Sequence, residues 1–334
     1  MNVRMWIKAL RVIPRITKQE WNELDVISRW LISTRAAVII MTFISAAIAG
    51  IWAFRDGQFN FVLWALMAFG LMMAHATNNI VNDITDFKRG VDLDNYFRAQ
   101  YGPQPLTHGL MTLRQSWTYA AVTGLIALAV GAYLVYVRGN LVLALLATGA
   151  FFVLFYTYPL KYIGLGELAV LLVWGPLMIG GGYYVVTGHW SWEVVWISLP
   201  YALGTTGVLF GKHIDKVDGD RSKNIRTLPV LLGEHNARIL MLGMITMQYV
   251  LVVVMVLFRV FTPIMLVVFL AWKMFTTALK VFNQPRPTGP PPGYPPEAWP
   301  MWYVSFAFVH NRDFGLWFLL GLVVDALLRS FHIL

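Results

Sequence analysis

The 334-residue chain has no cysteine, which excludes disulfides, iron–sulfur clusters, thiolate zinc sites and a cysteine nucleophile. Any metal chemistry must therefore use oxygen or imidazole ligands, and no pair of histidines stands at zinc-binding spacing. Charge is scarce as well: Asp, Glu, Lys and Arg make up 13% of residues, about half the ~25% usual in soluble domains. With 58% hydrophobic residues and a mean hydropathy of +0.61, the chain leaves no room for a separate soluble domain. The first 35 residues mix apolar and basic positions without the apolar run and cleavage site of a secretion signal.

What is abundant is long apolar sequence. Stretches near 36–54, 61–82, 117–137, 141–160, 165–187, 192–211, 239–258, 260–279 and 314–331 each approach the ~20 residues that cross hydrocarbon as a helix. Backbone groups in lipid must be satisfied within the segment, so the expected fold is all-α, a polytopic bundle of about nine transmembrane helices. Only Arg55, Arg138, Arg259 and Arg329 fall in one set of connections, against 21 Lys and Arg in the other. By the positive-inside rule the N-terminus and the even-numbered connections face the cytoplasm of a cytoplasmic (inner) membrane. The net charge of +9 thus reports topology, and no nucleic-acid partner is expected.

Two segments stand apart from the spans. Residues 1–35 form an amphipathic cytoplasmic segment, with Trp6, Ile7, Leu10 and Ile13 set against Lys8, Arg11, Arg15 and Lys18, suited to a lipid interface. Residues 36–334 make the transmembrane domain, interrupted at 285–300 by a cytoplasmic loop holding half of the 16 prolines. Consecutive prolines exclude a helix there. Besides membrane lipid, a protein partner fits either the N-terminal segment or the proline-rich loop.

Eight of the 17 acidic residues crowd into the two long connections after the second and sixth spans. The first reads NNIVNDITDFKRGVDLD, with Asn78, Asn79, Asn82, Asp83, Asp86, Asp92 and Asp94; the second reads GKHIDKVDGDRSKNIRTLPVLLG, with Lys212, His213, Asp215, Asp218, Asp220, Arg221 and Arg226. Both contain D-x-x-D. Two carboxylates at i, i+3 on a helix end share one face and repel unless a cation lies between them. Mg2+, which takes a few carboxylates and shares its other positions with water and phosphate oxygens, suits them. Two such clusters facing each other would hold two ions around one diphosphate. Lys161, Lys212 and Arg226 would offset the charge of a leaving diphosphate, and the aromatic run containing Tyr158 offers ring faces to an allylic cation.

These residues resemble the UbiA superfamily of intramembrane prenyltransferases. NDITDFKRGVD (82–92) is similar to the first aspartate-rich motif of the 1,4-dihydroxy-2-naphthoate prenyltransferase branch; GLGELAVLLVWGPLMIGGGYYVVTG (164–188) and DGDRSKNIRTLPVLLG (218–233) resemble its later conserved stretches. The resemblance implies a helical bundle around a central cavity, transferring a polyprenyl group from its diphosphate to an aromatic acceptor in menaquinone or related quinone synthesis. It assigns Asn82, Asp83 and Asp86 to the first metal–diphosphate role, and Asp215, Asp218 and Asp220 to the second. The chain departs from the pattern in three places. The family's D-x-x-x-D appears as D-x-x-D-x-D, with Lys216 four before Asp220 and His213 where acids or amides stand; Gln104 replaces a frequent arginine; and the proline-rich stretch is extra. These departures motivate a second reading, a non-catalytic UbiA-like subunit that binds pigment, quinone or lipid and scaffolds a membrane complex.

Overall fold

A computed structural model describes residues 2–91, 102–295 and 298–330. Asp92 and Asp94, expected near the first acidic cluster, lie outside the described residues. The chain divides into two compact units, one of Met1–Phe43 with Leu66–Pro159, the other of Ile44–Ala65 with Leu160–Leu334.

In the first unit the N-terminal segment folds as three short helices, α1 (Val3–Arg11), α2 (Lys18–Glu23) and α3 (Val26–Ser33). Local chemistry sets their ends. Thr17 and Glu20 form a reciprocal capping box on α2, satisfying main-chain donors that a helix start leaves open. Asp25 caps α3 by accepting from Ser28 N at 3.0 Å, and also takes Asn2 N at 2.8 Å and Trp6 Nε1 at 3.1 Å, joining the starts of α1 and α3. Burial opposes ionisation of this carboxyl, but the hydrogen bonds from Ser28, Asn2 and Trp6 outweigh it and hold its pKa well below the usual carboxylate range. The segment packs inward: Ala9, Trp21, Leu24, Leu31 and Ile32 form one buried cluster with Leu110 and Met111.

The long apolar stretches follow as α4 (Ala36–Arg55), α5 (Phe61–Lys88), α6 (Leu113–Arg138) and α7 (Asn140–Phe155). Two asparagines pin α5 against the end of α7: Asn78 Nδ2 donates to Val153 O at 3.0 Å, and Asn82 Nδ2 to Thr157 Oγ1 at 2.8 Å. Donor and acceptor both advance by four residues, so the two segments run parallel, one helical turn per rung. Asn79 Nδ2 ties α5 to Thr34 O at 2.8 Å.

The second unit contains α8 (Gly166–Thr187), α9 (Trp192–Asp215), α10 (Val217–Ser222), α11 (Leu228–Leu232), α12 (Glu234–Leu257), α13 (Pro263–Phe282) and α14 (Tyr303–Ser330). Within α8, residues Val173–Gly180 widen into a π-helical turn around Pro176; proline has no N–H and disrupts the regular ladder. Ser45 Oγ donates to the Trp174 carbonyl there at 3.2 Å. Gly175 sits against α9 so closely that a Cβ would lie 2.8 Å from that of Ala202. Asp325 pairs with Arg329 at 3.4 Å and also accepts Thr262 N at 2.7 Å, closing the start of α13.

All regular structure among the described residues is helical, as composition required. Among the described residues seven helices, α4, α5, α6, α8, α9, α12 and α13, are long and apolar enough to cross a membrane. The all-helical membrane architecture read from the sequence holds, and the exact count of nine is not confirmed. The fourth apolar stretch yields only the 16 residues of α7, about 24 Å of helix. The last yields 28 residues in α14, which carries Arg312, Asp313, Asp325 and Arg329.

Candidate functional site

The first acidic segment is an extension of a span. Because α5 continues through Lys88, Asn82, Asp83 and Asp86 occupy helical positions and the i, i+3 carboxylates share a face as expected. Both are buried, Asp83 at 7% and Asp86 at 3% exposure. Asp83 forms an ion pair with the guanidinium of Arg35 and lines a small recess with Ser33, Leu106, Met111 and Tyr119. Arg35 occupies the single residue between Thr34, the C-cap of α3, and the start of α4, with φ of +52°. That left-handed conformation is disfavoured for a side chain with a Cβ, and such strain persists where the surroundings hold it for a purpose. Here it delivers the guanidinium to Asp83. Asn82 commits its Nδ2 to Thr157, which leaves its Oδ1 as the atom able to face a cation.

The second segment is built differently. The sequence placed Asp215 and Asp218 on one helical face, but α9 ends at Asp215, Lys216 caps it with φ −109° and ψ 7°, and α10 begins at Val217. The shared face is lost with the helix. Asp215 turns inward, 4% exposed, and accepts Tyr303 N and Val304 N at 2.9 Å each. These are donors at the start of α14, so the carboxylate caps that helix from a remote position. The Asp218 side chain points outward at 92% exposure, 3.4 Å from Arg221. Asp220 is buried at 3%, with Lys216 Nζ 3.4 Å away. His213 Nδ1 lies 2.6 Å from Glu167 Oε1, both buried. Three aspartates close in sequence thus take three unlike environments.

The expected binding groups are scattered in character. Lys161 is buried at 8% in the turn Leu160–Ile163, with its ammonium 5.7 Å from the Tyr162 ring centroid. Lys212 is half-buried near the end of α9, and Arg226 is exposed in the link before α11. The Tyr158 ring already carries a cation, the Arg89 guanidinium 3.4 Å from its centroid. The contact is a cation–π pair within this chain. Arg35 and Thr157 escaped the sequence reading. A basic residue before a span looks like a topology signal, and only the backbone turn at 34–35 reveals its target.

These donors determine what metal chemistry is feasible. No three acidic or histidine side chains converge into a closed metal cage among the described residues. The α5 end suits magnesium nonetheless, because the Asp83 and Asp86 carboxylates and the Asn82 amide oxygen are hard oxygen ligands that water or phosphate would complete. The second segment does not fit: one carboxylate is spent on backbone donors, one points to solvent, and one faces an ammonium.

Comparisons with known proteins give the family. The model of the UbiA prenyltransferase family matches residues 43–291. The "UbiA prenyltransferase domain-containing protein 1 homolog" of Drosophila melanogaster is 27% identical over 220 residues, 61% of this chain and 57% of that protein; the match thus spans little more than half of that relative. The 1,4-dihydroxy-2-naphthoate octaprenyltransferase of Bacillus subtilis is 25% identical over 271 residues, 75% of this chain and 81% of that one. A UbiA homolog from Archaeoglobus fulgidus, solved bound to GPP and Mg2+, shares the fold at a TM-score of 0.58 and 14% identity, covering 89% of this chain and 99% of its own. With three quarters of its length matched, and with the paired aspartates carried on the helix where the sequence put them, the chain belongs to the UbiA prenyltransferase family.

Proposed function

We propose that this membrane protein transfers a polyprenyl group from its diphosphate to an aromatic acceptor of the dihydroxynaphthoate kind, in isoprenoid quinone synthesis. The observation that carries the reading is the edge of half-buried Asn82 and buried Asp83 and Asp86 at the end of α5, with Arg35 pairing Asp83. Two relatives support it by what they are called or contain: a naphthoate octaprenyltransferase and a homolog holding GPP with Mg2+. Magnesium held at this edge would draw electron density from the diphosphate and lower the cost of its departure.

The chain's own residues do the rest. Arg35 orients Asp83 through their ion pair. Asn82, locked by Thr157, presents an oxygen rather than an N–H. Lys161, Lys212 and Arg226 are assigned to offset charge as it develops on the leaving diphosphate. Tyr158 is assigned to the positive charge that develops on the allylic carbon, the role its contact with Arg89 imitates. In the topology that goes with this reading, the N-terminus and both acidic segments face the cytoplasm and the protein resides in the cytoplasmic membrane.

The direct test is turnover. Purified protein in nanodiscs, given magnesium, labelled geranylgeranyl diphosphate and a panel of aromatic acceptors, should release diphosphate and label an acceptor, and chelation should stop both. A folded sample that releases no diphosphate with any acceptor defeats the proposal and favours the scaffold reading, for which the internally neutralised second segment is the supporting observation. The topology is checked separately. Cysteines introduced by Lys88→Cys and Arg138→Cys, at opposite ends of the α5–α6 pair, should react with an impermeant maleimide from opposite faces of sealed vesicles. Reaction from one face only would rule out the span assignment between them.

A further inference from the structure

Every acidic side chain around the second segment is matched to a positive or donating partner from this chain. Glu167 Oε1 meets His213 Nδ1 at 2.6 Å, and its other oxygen accepts Leu228 N at 3.4 Å. Asp215 uses both oxygens on Tyr303 N and Val304 N, while Arg286 Nη1 donates to its carbonyl at 3.2 Å. Asp218 faces Arg221, and buried Asp220 faces Lys216. Lys216 is firmly placed. Its carbonyl accepts Asp220 N at 2.8 Å and its own N–H reaches His213 O at 3.2 Å, so one helical turn fixes the ammonium beside the carboxylate.

We propose that Lys216 replaces a divalent ion in this chain: the second acidic segment is neutralised from within, and the protein holds a single divalent cation, at the Asp83–Asp86 edge. The inference rests on the prenyl-transfer reading for that first site. It follows from counting what a cation would meet. At the end of α5 it finds two carboxylates on one face and an amide oxygen, with the Arg35 guanidinium beside Asp83. Around Asp220 it finds one carboxylate, no second oxygen on the same face, and an ammonium whose like charge repels it. Asp215 cannot be recruited without uncapping α14, and Asp218 points away. Magnesium dehydrates reluctantly and needs several oxygens in near-octahedral array, which this segment does not assemble. Lys216 then serves as a fixed cation, present whatever the metal concentration.

The test is metal stoichiometry, read without turnover. Wild-type protein in nanodiscs of neutral lipid is equilibrium-dialysed against Mn2+ and geranyl diphosphate, with the diphosphate in both chambers, and bound manganese is measured by loss of the free-ion EPR signal. One Mn2+ per chain is expected. Lys216→Asp, which places a carboxylate four residues before Asp220, should raise this to two. Should that variant not fold, Lys216→Asn offers an oxygen without the positive charge and should also gain a second, weaker ion. Two ions per wild-type chain would overturn the inference while leaving the prenyl-transfer reading intact. A count that stays at one in a folded Lys216→Asp protein would overturn it too. No bound manganese in the wild type would overturn both.

Discussion

Asp86→Ala will lower the rate of prenyl transfer by about 10²- to 10³-fold, the usual consequence of deleting one group that stabilises a leaving charge. The helix itself tolerates the change. Asp86 lies in the last turn of α5, where alanine is the best helix former, and the main-chain bond from Val91 N to Asp86 O at 2.9 Å survives the change. Asp83→Ala should cost as much in rate, with an added structural penalty, because it leaves the Arg35 guanidinium without its carboxylate in a strained turn. Comparing the two separates the roles. Rates are measured at saturating magnesium and again across a magnesium titration, alongside a thermal melt. A loss confined to melting temperature, or a rate within twofold of wild type for Asp86→Ala, would remove the first acidic segment from the mechanism.

Asp215→Ala should act in the opposite way, as a stability mutant. Its two oxygens satisfy two buried N–H groups at the start of α14, and each orphaned donor costs about 1–3 kcal/mol. A total near 3 kcal/mol corresponds to a fall in melting temperature on the order of 5 °C or more for a chain of this size. Asp215→Asn keeps one acceptor oxygen and should fall between. Asp218→Ala, whose side chain is 92% exposed, should melt with the wild type, since surface positions away from such features shift stability little. The observable is a melt in detergent or nanodiscs. Unchanged melting of Asp215→Ala would mean that the cap at Tyr303 contributes nothing.

The contrast between Asp86 and Asp215 shows why equal sequence signals diverged. Both sit in D-x-x-D at the end of a long apolar stretch. In the first, the helix runs on past the pair, so the i, i+3 rule applies. In the second, helix α9 stops at Asp215 itself and Lys216 adopts a non-helical conformation, so a rule that presumes helix has no purchase. The departure at Lys216 was visible as a residue type, but its meaning came from the 3.4 Å approach to Asp220.

Composition alone determined that this protein is helical and membrane-embedded, and it placed the paired acids at helix ends. Hydrocarbon offers no hydrogen bonds, so an apolar run of that length has one way to satisfy its backbone, and charges collect where the run meets water. Those are local constraints, legible within twenty residues. Which partner each carboxylate meets is settled far along the chain: Arg35 lies 48 residues from Asp83, and Tyr303 lies 88 from Asp215. No periodicity encodes such pairings. They exist only after packing brings a strained turn to one aspartate and the bare start of α14 to another, because a buried carboxylate takes whichever donor the tertiary structure sets within reach.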